Sequence, residues 1–193
     1  MRDSRIRQAD EDRLKAFLLK NCFIKGTFRL ASGATSNVYF DCKRATLSPE
    51  GLALISDLLL DRVDDLRAAG TTIDAVGGPS VGADPIAAGV ALRSGQRQNP
   101  LPAFLVRRSA KDHGTGRLIE NEIPPGSSVL VVEDVITSAG SVLESLATIQ
   151  EAGLKIAAVA CIVDREAGGA EALAPHPLIS LFRRSQLEQS QAT

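Results

Sequence analysis

The chain has 193 residues, with 22 basic and 23 acidic side chains and a net charge of −1. That length allows one domain to bury its own core, and the balanced charge, with no basic block, disfavours a nucleic-acid partner. No apolar run approaches the roughly 18 residues of a membrane span, and the charged N-terminus lacks a signal-peptide core, so we expect a cytoplasmic protein with no membrane partner.

The N-terminal part predicts a helix followed by two short strands. Residues 9–21 carry apolar side chains at helical spacing, which is typical of an amphipathic helix. Residues 27–30 and 37–41 alternate around a small-residue break and indicate a hairpin. We interpret residues 1 to about 45 as a small hood on a single domain, residues 1–193. Two questions stay open there: Phe28 is either core or a ring that stacks on a base, and the cations at positions 43 and 44 are either solvated or bind a ligand.

The middle of the chain predicts alternating helices and strands. Ser48 and Pro49 form a helix start, an apolar stripe follows, and Gly70 closes the helix. A short strand at residues 73–76 then leads into a tight turn of small residues, 77–82, before the next helix. Such a turn lets the backbone approach a ligand closely.

A strongly basic segment follows the strand predicted at residues 101–106. Residues 107–117 read RRSAKDHGTGR, which gives four cations, a histidine and two glycines. This composition suits a lid that becomes ordered when a polyanion binds. The alternative is a solvated surface loop.

Residues 127–141 combine a buried strand with a turn suited to phosphate. Residues 129–132 are apolar and mostly β-branched, as in a parallel strand covered on both faces, and Glu133 and Asp134 follow them. The small, hydroxyl-rich turn at residues 137–141 precedes a helix, whose N-terminus favours an anion. Carboxylates accept hydrogen bonds from sugar hydroxyls, so the segment suits a ribose 5-phosphate. The alternative is an ordinary helix-capping turn.

The last predicted strand, residues 156–164, is followed by Arg165 and a short helix. Cys161 within that strand is interpreted as a core residue, and the three cysteines lack the paired spacing of a disulfide framework or zinc site. An arginine binds a carboxylate bidentately; the alternative for Arg165 is a salt bridge with Asp164 or Glu166. Beyond residue 182 the polar tail predicts no element.

Two of these segments resemble a known family. Residues 127–141 resemble the signature of the type I phosphoribosyltransferases, with Ala139 where glycine is usual. The spacing R-R-x-x-K-x-H-G from residue 107, and the hood sequence LASG with Tyr39 and Asp41, resemble orotate phosphoribosyltransferases in particular. The resemblance implies an α/β fold with a central, mainly parallel sheet flanked by helices and a small N-terminal hood that shapes the base pocket.

The resemblance also implies a reaction and the residues that perform it. A phosphoribosyl group would pass from 5-phosphoribosyl 1-diphosphate to orotate, with Mg²⁺ as cofactor, in a homodimer with shared active sites. No side chain is assigned as a metal ligand. The implied catalytic residues are Lys111, His113, Glu133 and Asp134. The implied 5-phosphoribosyl 1-diphosphate site comprises these four with Arg107, Arg108, Val135, Ile136, Thr137, Ser138, Ala139, Gly140 and Ser141, and the implied orotate site comprises Phe28, Thr137 and Arg165.

The sequence departs from the family at two positions. Many orotate enzymes carry lysines where this chain has Ala31 and Gly82, so those two contacts are not carried over. Two alternatives stay open: a type I phosphoribosyltransferase for a purine or uracil base, and a non-catalytic regulator that senses 5-phosphoribosyl 1-diphosphate.

Overall fold

The computed structural model describes residues 2–29, 35–108 and 118–190. Helices and strands alternate through these residues. In chain order they are α1 (Ser4–Asn21), β1 (Phe23–Arg29), β2 (Thr35–Phe40), α2 (Lys43–Thr46), α3 (Pro49–Ala68), β3 (Ala75–Pro79), α4 (Ala83–Gln96), β4 (Ala103–Val106), β5 (Ile119–Glu120), β6 (Ser128–Ile136), α5 (Gly140–Glu151), β7 (Lys155–Asp164), α6 (Gly169–Ala172), β8 (Leu178–Arg183) and α7 (Arg184–Gln189).

Six strands form one central sheet in the order β5-β4-β3-β6-β7-β8. All neighbouring pairs are parallel except the short β5, which is antiparallel to β4. The predicted α/β class with a mainly parallel sheet is therefore confirmed. The predicted hairpin is also present, because β1 and β2 form a separate antiparallel pair. Ligands of open parallel sheets bind beyond the carboxyl ends of the strands, which directs attention to the ends of β3, β6 and β7.

The central strand β6 explains why the sheet needs helices on both faces. Leu130 and Val132 pack into the core cluster that contains the apolar side chains of α1, α3 and α4. Val129 and Val131 pack into the cluster that contains those of α5. Because successive side chains of a strand point to opposite faces, an uninterrupted apolar run is required wherever both faces are covered.

The N-terminal helix is longer than predicted and is held by ion pairs. It begins at Ser4, where Asp3 caps it, and its first turns are mostly polar with Ile6 exposed, so no buried apolar stripe marks them. Its Arg7 donates to Asp65 of α3 at 3.1 Å. The start of α3 agrees with the prediction, since the Ser48 hydroxyl accepts a hydrogen bond from the Gly51 amide at 3.0 Å.

Several element boundaries differ from the predictions, and three of the differences bear on the candidate site. β3 continues through Gly77 and Gly78, which were expected in the turn, because neighbouring strands approach so closely that a Cβ on either residue would lie 2.1 Å from a carbonyl oxygen. β6 continues four residues past Val132 and so includes the acidic pair. The segment after residue 182 forms α7, whose Leu187 is fully buried.

Two further features concern membrane-spanning helices and the cysteine residues. Within residues 2–29, 35–108 and 118–190, no helix is both long and apolar enough to cross a membrane. Cys161 lies buried in β7, as predicted, and Cys22 and Cys42 are also buried free thiols.

Candidate active site

The acidic pair lies in the carboxyl half of the central strand. Glu133 is only 8% exposed, and its carboxylate oxygen Oε1 accepts a hydrogen bond from the Asp134 amide at 2.9 Å. Burial, assisted by the neighbouring charge of Asp134, raises the pKa of Glu133 to about 8. Asp134 is less buried and accepts a hydrogen bond from the Val135 amide at 2.8 Å. The two carboxyl groups are therefore held by backbone at the strand end, in different environments.

The turn after β6 leads directly into the N-terminus of α5. Ser138, Gly140 and Ser141 are exposed there, and Thr137 is half-buried. The first turn of α5 carries no acidic side chain, so no internal carboxylate occupies the positive end of the helix. This geometry is suited to a phosphate group. Val135 and Ile136, which precede the turn, are half-buried and buried.

The turn after β3 lies against the same acidic pair. A Cβ built on Gly82 would lie 1.8 Å from Glu133 Oε1 and 3.1 Å from Asp134 Oδ1. Gly82 has an ordinary helical φ of −62°, so glycine is required there by space and not by backbone conformation. The backbone of this turn and the carboxylates of β6 consequently share one side of the site.

The third part of the site joins the end of β7 to the hairpin. Arg165 follows β7 and is 6% exposed. Burial and the nearby Arg184 lower its pKa, while Tyr39 of β2 acts in the opposite direction. The ring of Tyr39 lies 5.4 Å from that of Phe28, centroid to centroid. Arg165 thus interacts electrostatically with Tyr39, whose ring packs against that of Phe28. An arginine and aromatic rings are groups suited to a planar, negatively charged ligand.

The acidic neighbours of Arg165 also bond to other groups. Asp164 accepts a hydrogen bond from the Glu166 amide at 2.8 Å. Glu166 accepts two from Ser185, from its amide at 2.8 Å and from its hydroxyl at 3.0 Å. These bonds link the segment after β7 to the start of α7.

The basic segment is described only at its two ends. Arg107 donates to Glu120 of β5 at 3.0 Å, beside the end of β4. Arg108 is exposed, and its positive charge opposes the rise in the pKa of Glu133. Lys111 and His113 lie outside the described residues.

Sequence reasoning missed two contributions to this site. Tyr39 was quoted only as part of the hood sequence, yet its ring packs against that of Phe28 and its side chain acts electrostatically on Arg165. Arg184 and Glu188 of α7 act electrostatically on Arg165, although no element was predicted there. No local sequence pattern predicts either contribution, because each depends on an interaction between segments that are far apart in sequence.

Comparison with known proteins gives consistent matches. The family model of the phosphoribosyl transferase domain matches residues 46–176. The orotate phosphoribosyltransferase of Rhodopirellula baltica is 45% identical over 151 residues, which are 78% of each chain. That of Sorangium cellulosum is 38% identical over 180 residues, 91% of this chain and 92% of the relative. The crystal structure of Mycobacterium tuberculosis orotate phosphoribosyltransferase in complex with 5-phospho-alpha-D-ribosyl 1-diphosphate superposes with a TM-score of 0.73 and 30% identity, covering 93% of this chain and 92% of that one.

Proposed function

The chain belongs to the orotate phosphoribosyltransferases, a family with the phosphoribosyl transferase domain, and from this premise we propose its reaction and site. It transfers the phosphoribosyl group of 5-phosphoribosyl 1-diphosphate to orotate, giving orotidine 5′-phosphate and pyrophosphate in pyrimidine (UMP) biosynthesis. The observation that carries the choice of base is the buried Arg165 near the ring pair of Phe28 and Tyr39. Orotate offers its carboxylate to an arginine, whereas uracil and the purine bases have none.

In this proposal the acidic pair and the turn after it hold the phosphoribosyl group. The backbone N–H groups at the start of α5 bind the 5-phosphate, with the hydroxyls of Thr137, Ser138 and Ser141 as further donors. The carboxylates of Glu133 and Asp134 accept hydrogen bonds from the ribose hydroxyls. As the bond from C1 to pyrophosphate breaks, positive charge develops on the ribose, and the negative charge of the acidic pair stabilises it.

Cations stabilise the leaving group on the opposite side. Arg108 acts electrostatically on Glu133 and is exposed to solvent, which supports a role in binding pyrophosphate. We assign the same role to Arg107, Lys111 and His113, and His113 is also suited to donate a proton to the departing oxygen. The base lies between Arg165, Phe28 and Thr137.

The residues present fit a magnesium ion that enters with the substrate. No group of three or more His, Cys, Asp or Glu side chains among the described residues is arranged to hold a metal. Mg²⁺ commonly binds through one or two carboxylates, waters and substrate phosphates. Glu133 and Asp134 are the side chains that would hold it. When bound, the ion would neutralise negative charge on the diphosphate.

The proposal includes a homodimer in which the basic segment of each subunit completes the partner's site. It also treats the β1–β2 hairpin as the hood of a single domain and places the protein in the cytoplasm. The segment at residues 107–117 has an excess of positive charge, which suits it to bind a polyanion. In the homodimer it would bind the diphosphate in the partner's site.

A base-competition assay tests the reaction. Purified protein is mixed with 5-phosphoribosyl 1-diphosphate, Mg²⁺ and orotate, and the loss of orotate absorbance is followed; uracil, adenine and hypoxanthine replace orotate in parallel. We expect turnover with orotate alone. Turnover of another base would agree with the proposed mechanism but would contradict the proposed specificity for orotate. Tight binding of 5-phosphoribosyl 1-diphosphate without turnover of any base would favour the regulator.

A further inference from the structure

Helix α4 carries an apolar stripe on the side that faces away from the sheet. The stripe consists of Val81, Pro85, Ala88 and Leu92. Val81 is 71% exposed and Leu92 is 65% exposed, while Ala88 is exposed and Pro85 is half-buried. Because Gly82 already has helical φ and ψ, of −62° and −43°, the helical spacing extends back to Val81. Residues at intervals of four, three and four lie on one side of a helix, so the stripe is continuous and roughly 17 Å long.

The charged side chains of this part of the chain are bonded elsewhere and leave the stripe apolar. Asp84 is the only charged residue within residues 81–92, and its Oδ1 accepts a hydrogen bond from the Ser80 hydroxyl at 2.8 Å. Arg93, which follows the stripe, donates from Nε to Asp57 Oδ1 of α3 at 3.1 Å. An exposed apolar surface that charged groups do not interrupt is typical of an interaction site.

The neighbouring helix α3 adds a further exposed apolar side chain. A Cβ built on Gly89 would lie 2.8 Å from Leu52 Cδ1, near the start of α3, and the ion pair between the two helices lies farther along both. The helices therefore run side by side in the same direction, and Leu47, just before α3, lies at the same end as Val81. Among the residues that the structure describes, Leu47, Val81 and Leu92 are the three most exposed large apolar side chains, with Leu47 at 74%.

The spacing of the stripe makes it complementary to itself. The intervals of four, three and four residues read the same in both directions. A two-fold axis that passes midway between Pro85 and Ala88 therefore places Val81 of one copy against Leu92 of the other, and Pro85 against Ala88. This is the geometry of an isologous interface, in which the same surface patch is used by both subunits. The small Ala88 near the axis allows the two helices to approach closely. The stripe consequently fits a second copy of this chain.

The stripe begins at the border of the candidate active site. Val81 adjoins Gly82, where a Cβ would lie 1.8 Å from Glu133 Oε1. The carbonyl oxygen of Val106, the last residue of β4, accepts a hydrogen bond from the Ser80 amide at 2.9 Å, and the basic segment starts at the next residue. A second copy that covers the stripe would therefore lie next to both the acidic pair and the start of the basic segment.

We propose that the stripe of α4 is the centre of a homodimer interface, in which the α4 helices of two subunits pack antiparallel across a two-fold axis. The arrangement places the two active sites at opposite ends of the paired helices, each at the border with the other subunit. This inference rests on the proposed function, because it names the surface through which the proposed homodimer forms.

Three variants test the interface. Leu92→Glu places a charge within the stripe, and Ala88→Arg brings two cations together beside the axis. Ile6→Glu is the matched control, because Ile6 is also a helical apolar residue, 55% exposed, and lies on α1 outside the stripe. Sedimentation velocity over a range of protein concentrations gives the dissociation constant of the dimer. Circular dichroism verifies that each variant is folded, and Ala88→Arg keeps the test open if Leu92→Glu is not, since an exposed helical position accepts arginine readily.

We expect the wild type and Ile6→Glu to be dimers with the same dissociation constant. Leu92→Glu and Ala88→Arg should each raise that constant by roughly hundredfold or more, because a charge would be buried at the interface without a partner. An unchanged constant in both folded stripe variants, or an equal rise in Ile6→Glu, would overturn the proposal. A monomeric wild type would also overturn it and would leave the stripe to a partner protein of another kind.

The orotate assay on the same samples separates this inference from the proposed reaction. If the wild type is a dimer that turns over orotate while Leu92→Glu and Ala88→Arg stay dimeric, only the assignment of the interface fails. If the wild type turns over no orotate but the stripe variants dissociate, the reaction fails and the interface is supported.

Discussion

Ala139 occupies a left-handed backbone conformation, with φ at 63°, in the turn between β6 and α5. Replacing it by glycine relieves about 1 kcal/mol of steric strain. The change also loses a buried methyl group worth about 0.8 kcal/mol and adds backbone entropy to the unfolded chain. Because these contributions offset each other, we expect Ala139→Gly to change the free energy of unfolding by less than about 1 kcal/mol.

Enlarging the side chain at position 139 should instead lower the free energy of unfolding. Ala139 is buried in the core cluster beneath α5, so Ala139→Val adds bulk to a packed site and places a β-branched residue at positive φ. We expect a loss of about 2 to 4 kcal/mol in urea denaturation, with weaker phosphate binding. Wild-type stability in Ala139→Val would mean that the turn adopts another conformation.

Glu133 makes stability depend on pH in a predictable direction. Its pKa is about 8 in the folded chain, because of burial and the charge of Asp134, against an ordinary value of 4.5. Between these two values the folded state keeps a proton that the unfolded state releases. The free energy of unfolding therefore falls as pH rises from about 4.5 to about 8, by at most about 1.4 kcal/mol per pH unit.

The variant Glu133→Gln isolates this contribution. Glutamine can still accept the hydrogen bond from the Asp134 amide but carries no titrating proton. Urea denaturation between pH 5 and pH 8 should show the wild type losing stability relative to Glu133→Gln as pH rises. A constant difference between the two proteins across that range would contradict the shifted pKa. Turnover of Glu133→Gln should fall, since the carboxylate is lost from the ribose site.

At the scale of elements, the sequence predicted strand cores better than strand ends. The apolar run at residues 129–132 identified β6, because a strand covered on both faces admits few polar side chains. No apolar pattern predicted the extension of β3 through Gly77 and Gly78. Glycine is needed there because carbonyl oxygens of the neighbouring strands leave no room for a side chain. Helix α7 was missed because its six residues bury only Leu187 and are stabilised by Glu166, far away in sequence.

That contact gives α7 a testable effect on the proposed base pocket. Glu166 adjoins Arg165 and accepts both hydrogen bonds from Ser185 at the start of α7. We expect Glu166→Ala to release this link, to misplace Arg165 and to raise the KM for orotate about threefold to thirtyfold. The dissociation constant for 5-phosphoribosyl 1-diphosphate should not change. Glu171→Ala in α6 is the control, since Glu171 is also exposed. An equal rise in the KM for orotate in this control would contradict a role for Glu166 in positioning Arg165.

For the whole molecule, a local segment could be interpreted from the sequence, whereas contacts between distant segments could not. Residues 133–141 form one continuous segment, so their pattern alone led to the prediction of a ribose 5-phosphate site, and this stays a prediction. The electrostatic interactions of Tyr39 with Arg165, and of Lys43 with Asp134, link the hairpin and its exit to the segments at β7 and β6. Those contacts follow from chain topology, which apolar periodicity does not encode.

The proposed dimer makes a quantitative prediction about mixed subunits. If each site takes Arg165 from one subunit and Lys111 from its partner, a dimer of Lys111→Ala with Arg165→Ala contains one site with both substitutions and one with neither. Random pairing makes half of the dimers mixed, so co-expression of the two inactive variants should restore about a quarter of wild-type activity. The control pairs Lys111→Ala with a chain carrying both substitutions, which leaves no intact site in any dimer. Recovery in the first mixture alone would support shared sites, whereas no recovery in a preparation shown to contain mixed dimers would mean that each chain completes its own site.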